Sequence, residues 1–292
     1  MAPDLDAAIS FLTTHARPLE RRRLRHLLGA ASAGDVLVAL DAHRNDDGGY
    51  GWALEPDLRS ATSQPVAAMH ALEVLAEVRD TKSDRAPELL DWLAGHALPD
   101  GGVPFALPYQ DTEGSAPHWR AVDATESSLQ MTTQLAAQAH RLARHRTDLA
   151  EHPWLRAATA YCLDTIEQSE TPSVYEVMFT MHFLDAVAPV SPRAQAALGD
   201  FVRHVRMDGP TPVPEGVEGE VLYPLDFTPD PDSPSRALFD AEAVTADLRR
   251  LAAQQQADGG WTVTFAAHSP AAALEWRGYA TVQAIKVLRD SR

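Results

Sequence analysis

The chain has 292 residues, 45% of them apolar, which is enough for a sizeable core; 41 acidic against 25 basic side chains leave a formal charge of −16. That charge repels phosphate backbones and anionic membrane surfaces, so nucleic-acid binding is not expected. A single cysteine, Cys162, excludes an intramolecular disulfide and is expected to behave as a small buried hydrophobe. No uninterrupted apolar stretch approaches the roughly 20 residues of a membrane span. The start Met1-Ala2-Pro3-Asp4-Leu5-Asp6 carries acid where a signal peptide needs base. A cytoplasmic protein without an integral membrane segment is expected.

Helical periodicity dominates from the first residues onward. Leu5, Ile9 and Leu12 repeat at steps of four and three, which predicts an amphipathic helix, and a short one follows near 20–29. Further helices are predicted over 33–44, over Val66, Met69, Leu72, Leu75 and Val78, and over 86–97, 124–146 and 153–168. Val174, Val177, Met178, Met181 and Leu184 form another stripe, followed by 192–206, 240–257 and 269–290. The total is about eleven. Pro87, Pro153, Pro172, Pro192 and Pro270 stand at or near first-turn positions, where the missing amide hydrogen costs little. The stretch from Asp208 to about residue 236 is rich in proline, yet Val221-Leu222-Tyr223-Pro224-Leu225 is apolar. A packed lid or plug is expected there.

Three Asp-Gly-Gly turns punctuate these helices, at Asp47-Gly48-Gly49, Asp100-Gly101-Gly102 and Asp258-Gly259-Gly260. The first two are 53 residues apart and the last two 158, close to three further steps; Asp208-Gly209 reads as a worn fourth copy. Such a period marks a repeat architecture, in which each helical hairpin buries its apolar face against its neighbours.

The third copy, Gln254-Gln255-Gln256-Ala257-Asp258-Gly259-Gly260-Trp261, resembles the glutamine-tryptophan repeat of the squalene cyclase and protein prenyltransferase superfamily. The aspartate and glycines make a tight turn, and the aromatic is expected to lie against a glutamine amide of the preceding helix. The first copy keeps the turn and an aromatic, Tyr50, but has His43 for glutamine; the second has Val103 for the aromatic. The resemblance implies an all-α chain folded as a single-domain α/α toroid of about five to six hairpins spanning residues 1–292, around a central cavity. The whole chain looks like short bacterial proteins labelled prenyltransferase or squalene-oxidase repeat proteins, a label that describes a fold. Departures from the superfamily are clear. The Asp-x-Asp-Asp acid of class II terpene cyclases is absent, Asp46-Asp47 is followed by Tyr50 where a class I magnesium motif needs an acid, and Cys162 lacks the surroundings of the prenyltransferase zinc site.

Several clusters can carry chemistry. Tyr50, Trp52, Glu55, Asp57 and Arg59 crowd into ten residues after the first turn. A carboxyl beside Trp52 and Tyr50 is expected to be raised by desolvation while Arg59 keeps a second one ionised, separating acid from base; otherwise Asp57 and Arg59 form a local ion pair and Glu55 caps a helix. Glu275, Trp276 and Arg277 repeat the theme, the two charges pointing to different helix faces. In the long loop, Asp226 is a candidate acid beside Tyr223, while Asp226, Asp230 and Asp232 read either as turn and cap residues or as oxygen ligands for a hard cation. His118 and Trp119 follow the second turn and are expected at the same rim. His70, His140, His182 and His204 each sit singly in helical patterns and read as packed or solvent-facing.

Three functions fit. The first is a terpene cyclase-like enzyme that protonates and rearranges an apolar isoprenoid or polyene, with Glu55, Asp57, Asp226 and Glu275 as candidate acids and Tyr50, Trp52, Arg59, His118, Trp119, Tyr223, Trp276 and Arg277 around the substrate. It calls for no cofactor and no metal, and for an apolar cavity of a few hundred Å3 touching the aromatics. The second is a carbohydrate-active (α/α)-barrel enzyme with paired carboxylates. The third is a non-catalytic toroid that binds a small molecule or a protein, marked by acids locked in salt bridges.

Overall fold

A computed structural model describes residues 3–120, 123–214, 216 and 218–291. Thirteen α-helices are present among them: α1 (Leu5–His15), α2 (Pro18–Leu27), α3 (Ala33–Leu40), α4 (Pro65–Glu77), α5 (Arg85–His96), α6 (Leu129–Ala143), α7 (Thr147–Ala150), α8 (Pro153–Gln168), α9 (Val174–Val187), α10 (Pro192–Phe201), α11 (Pro224–Phe227), α12 (Ala241–Ala253) and α13 (Pro270–Asp290). The chain is all-α apart from a two-residue antiparallel pair, β1 (Thr211–Pro212) with β2 (Val221–Leu222), inside the proline-rich stretch. Glu215 and Val217 of that stretch, like Met1 and Ala2, lie outside the described residues.

Proline occupies the first helical turn of α2, α4, α8, α11 and α13, and a side chain caps α1 (Asp4), α6 (Ser128), α9 (Ser173), α12 (Asp240) and α13 (Ser269). These caps satisfy amides that have no partner within the helix. Capping also shifts one predicted boundary. α6 starts at Leu129 rather than near 124, because Ser128 accepts from the Met131 amide and Ser127 is taken by Asp100. The sequence pattern missed the single turns α7 and α11, which are too short to show a period.

The chain divides into two compact units, one formed by residues up to Ala39 with those from Phe201 onward, the other by Leu40–Asp200. In the first unit α13 packs against α1, α2 and α12. Phe11, Leu12, Leu24, Trp261, Val282 and Ile285 are nearly inaccessible there, and each fully buried side chain of this size contributes about 1.5–3 kcal/mol. In the second unit α4, α6 and α9 form one layer and α5 and α8 lie against it. Leu72, Leu75, Leu135, Met181 and Phe183 are fully buried in the first layer, Leu89, Leu93 and Leu155 in the second.

The three Asp-Gly-Gly turns are built alike. Gly48, Gly101 and Gly259 have φ of 88°, 94° and 93°, in the left-handed region that glycine enters freely. Each turn closes by a pair of backbone bonds, Asn45 with Gly49 and Gly48, Leu98 with Gly102 and Gly101, Gln256 with Gly260 and Gly259. A Cβ on Gly101 would stand 2.8 Å from the Ala157 carbonyl oxygen in α8, and one on Gly259 would overlap that of Ala7 in α1. The turn thus presses on the next helix. Its aspartate then reaches forward: Asp47 accepts from Ser63 (2.8 Å), Asp100 from Ser127 (2.7 Å) and Asp258 from Arg277 (2.7 Å), just before or within α4, α6 and α13. The Trp261 indole donates to the Leu251 carbonyl (2.8 Å), while Gln255 bonds both the amide and the carbonyl of Asp4. One expectation is corrected. Asp208-Gly209 is not a fourth such turn, since Gly209 lacks positive φ and Asp208 pairs with Arg206.

Candidate functional site

The segment after the first turn is tightly folded. Trp52 and Ala53 are both left-handed, with φ of 52° and 55°, a conformation that costs about 1–2 kcal/mol for each non-glycine residue. The loop is held by Gly51 N–H to His43 O (2.9 Å) and Trp52 N–H to Ser60 O (2.9 Å). It drives Glu55 and Asp57 inward, leaving them 4% and 5% exposed. Glu55 Oε2 lies 3.0 Å from His70 Nε2 on α4, and the Asp57 amide donates to Glu55 Oε1 (3.2 Å). The other ring nitrogen of His70 is 3.7 Å from Glu73 Oε2.

Burial alone would lower the His70 pKa, but the bonds to Glu55 and Glu73 and their charges outweigh it and raise the imidazole to about 9. The imidazole thus holds its proton at neutral pH, between Glu55 and Glu73. His70 and Glu73 were not singled out in the sequence, where His70 reads as a packed helical histidine. The available signal was the acid one helical turn later.

The second loop joins this structure. The Ala116 amide donates to Asp57 O (2.8 Å), the Arg59 amide to Ser115 Oγ (3.2 Å), and Ser60 Oγ to Asp111 (2.7 Å). Trp119 is buried and stacks on Phe105 at 4.8 Å, with exposed His118 tilted beside it at 4.9 Å. The Trp119 indole N–H has no acceptor among the described residues. Tyr50 is fully buried under the turn, and burial pushes its hydroxyl up to about 12. Trp52 is 54% exposed and donates to Asn45 Oδ1 (2.7 Å). Glu55, Asp57, Arg59, His118 and Trp119 therefore belong to one pair of interlocked loops.

The remaining candidates lie in the first unit. Asp226 caps its own short helix α11 by accepting from the Tyr223 amide (2.7 Å). Burial pushes its pKa up to about 6, the Tyr223 amide opposing and the Asp247 charge reinforcing the shift. The Arg250 guanidinium lies 3.6 Å from the centre of the Tyr223 ring and pairs with Asp247 (2.6 Å). Glu275 is 4.0 Å from Arg17, which grips Glu20 at 2.7 Å. Arg277 clamps the third turn and covers the Phe11 ring at 4.4 Å. The two charges do point apart, as their spacing requires. Trp276 meets Phe265 and Tyr279 edge-on at 5.0 and 5.6 Å.

A groove of about 790 Å3 in the second unit is lined by Asp41, Asp46, Asp47, Glu88 and Trp92 among others, with Arg44 paired to Glu88. One of about 390 Å3 in the first unit is lined by Gln256, Asp258, Thr262 and Arg277. Both are open, and of the proposed residues only Arg277 lines either. Among the described residues no group of three or more histidine, cysteine or acidic side chains is placed to hold a metal ion. Asp230 instead accepts from the Asp232 amide (2.9 Å), a turn bond. Among the described residues no helix is long and apolar enough to cross a membrane.

No protein-family model and no curated protein matches the chain. Among solved structures it is similar to a type II terpene cyclase from Scytonema, solved in a substituted form in complex with the product merosterolic acid A. The two share 16% sequence identity over 98% of this chain and 85% of that one, with a TM-score of 0.52. The likeness establishes the fold class, that of the α/α toroid.

Proposed function

We propose that the chain is a terpene cyclase-like enzyme that starts the cyclisation or isomerisation of an isoprenoid-like substrate by protonating it, with Glu55 as the acid. The observation that carries this reading is the Glu55–His70–Glu73 arrangement, a buried carboxyl met by an imidazolium on one oxygen and a backbone amide on the other. The His70 imidazolium passes its Nε2 proton to Glu55 Oε2 and Glu55 passes it on to the alkene carbon, which leaves a carbocation, a neutral imidazole and the Glu55 carboxylate, held by the Asp57 amide. Trp119 stacked on Phe105 supplies an aromatic face near the same loops. The likeness in fold to a terpene cyclase supports the reading.

A second reading, a non-catalytic binding protein, is favoured by the engagement of Glu55 with His70 and of Glu275 with Arg17. Incubation with prenyl diphosphates and polyprenes, read by mass spectrometry, separates the two. The enzyme reading expects products that fall at least 100-fold in Glu55→Gln; a complete absence of products, or products unchanged in Glu55→Gln and Asp57→Asn, favours the binding protein.

A further inference from the structure

The groove of about 790 Å3 in the second unit lies at the first Asp-Gly-Gly turn. Backbone bonding makes Asn45, Asp46 and Asp47 of that turn equivalent to Leu98, Pro99 and Asp100 of the second and to Gln256, Ala257 and Asp258 of the third. The last aspartate accepts from the second glycine amide in all three, so the turn needs it. It does not need an acid at Asp46. Five carboxylates, Asp41, Asp46, Asp47, Glu88 and Asp91, line the groove with a single guanidinium, that of Arg44. Arg44 pairs with Glu88, and Arg85 grips Asp41 at 2.6 Å. Exposed Asp46 and Asp91 meet no guanidinium among the described residues, Asp91 facing His152 at 3.1 Å. No three of these acids are placed to hold one metal ion among the described residues, so the negative charge is spread along the groove.

The same turn buries a polar group that the packing does not use. Tyr50 is 0% exposed, and its hydroxyl has no hydrogen-bond partner among the described residues. The equivalent residue is Val103 in the second copy, which has no polar side-chain atom, and Trp261 in the third, whose indole N–H has the Leu251 carbonyl. An apolar side chain fills this place equally well. Arg44 and Tyr50 are partners in an antiparallel bridge, so their side chains leave on one face. The charges of Arg44 and Asp41, both lining the groove, act on the Tyr50 hydroxyl, which is therefore aimed at it. Arg44 Nε is also buried and has no acceptor among the described residues. Both atoms donate, and one main-chain carbonyl with two lone pairs accepts from both. Trp52, 54% exposed, is fixed at the rim by its bond to Asn45, which lines the groove. Its open face suits a lysine or arginine side chain.

We infer that this groove docks a basic, extended peptide segment of a partner protein, with a main-chain carbonyl on Tyr50 Oη and Arg44 Nε and lysine or arginine side chains toward Asp46 and Asp91. The acids facing a cationic segment supply the charge complementarity, and a formal charge of −16 on the whole chain draws such a segment in. The inference is independent of any reaction at Glu55. The probes are acetyl-tetralysine amide and spermine, tetracations with and without a peptide backbone, each titrated into the full chain at low salt by calorimetry. The peptide is expected to bind about tenfold more tightly than spermine, and Asp46→Asn combined with Asp91→Asn to weaken both by about tenfold or more. Tyr50→Phe is expected to remove the preference for the peptide, to leave spermine binding unchanged and, because it deletes only an unpaired hydroxyl, not to lower the thermal midpoint. No binding of the peptide, equal affinity for the two tetracations, affinity unchanged in the Asp46 and Asp91 variant, or a preference that survives Tyr50→Phe overturns the inference. A lowered midpoint in Tyr50→Phe also overturns it, since the hydroxyl would then serve the fold.

Discussion

His70 Nε2 and Glu55 Oε2 lie 3.0 Å apart in the interior, an imidazole on a helix and a carboxylate on a strained loop 15 residues earlier. His70 ordinarily titrates near 6.5 and is raised to about 9 here. The folded chain thus holds the proton more tightly than the unfolded one. The resulting stabilisation, about 3 kcal/mol, is complete below pH 6.5 and is lost as the pH rises through 9. Urea midpoints between pH 6 and 10 are expected to fall over that window. Glu55→Gln should flatten the fall, and His70→Ala, which strands the buried Glu55 side chain beside part-exposed Glu73, should cost about 3–5 kcal/mol at pH 7.

Asp226 gives a second pH signature with the same sign. Its folded pKa of about 6 lies above the usual 3.8, so the protonated form stabilises the fold, fully below pH 3.8 and not at all well above 6. The amount is about 2–3 kcal/mol. Asp226→Asn keeps an acceptor for the Tyr223 amide without the charge. Its thermal midpoint is expected to exceed that of the parent above pH 6, and to vary less between pH 4 and 6.

The turn glycines should differ in their tolerance of a methyl group. Gly29 has φ of 75° and open space around it, so Gly29→Ala is expected to cost only the backbone strain, about 1 kcal/mol. At Gly101 and Gly259 the same strain is joined by collision with the Ala157 and Ala7 carbonyls. Gly101→Ala and Gly259→Ala are expected to cost about 3 kcal/mol or more. Chemical denaturation of the three variants checks the order.

Cys162 is completely buried on α8, and burial pushes its thiol well above its usual value. A thiol reagent such as DTNB should therefore leave the native chain unmodified at pH 8 and label one thiol after unfolding in urea. Rapid labelling of the native chain would contradict this burial.

The helices and turns were legible in the sequence because both are local. A stripe at period 3.6 marks a helix from its own residues, as Val174 to Leu184 did for α9, and Asp-Gly-Gly defines a turn from three. The repeat period made the all-α architecture readable as well. For the candidate site, the sequence showed that the loops carrying Glu55 and Trp119 each follow a turn. Other features came only from packing. His70 reads as an ordinary helical histidine in the sequence, whereas the loop places Glu55 on its ring, and Arg277, a candidate substrate-binding residue, also clamps the third turn. The press of Gly259 on Ala7 joins residues at opposite ends of the chain. Local conformation is written in neighbouring residues, whereas burial, ion pairing and proton affinity depend on what tertiary packing brings within about 4 Å.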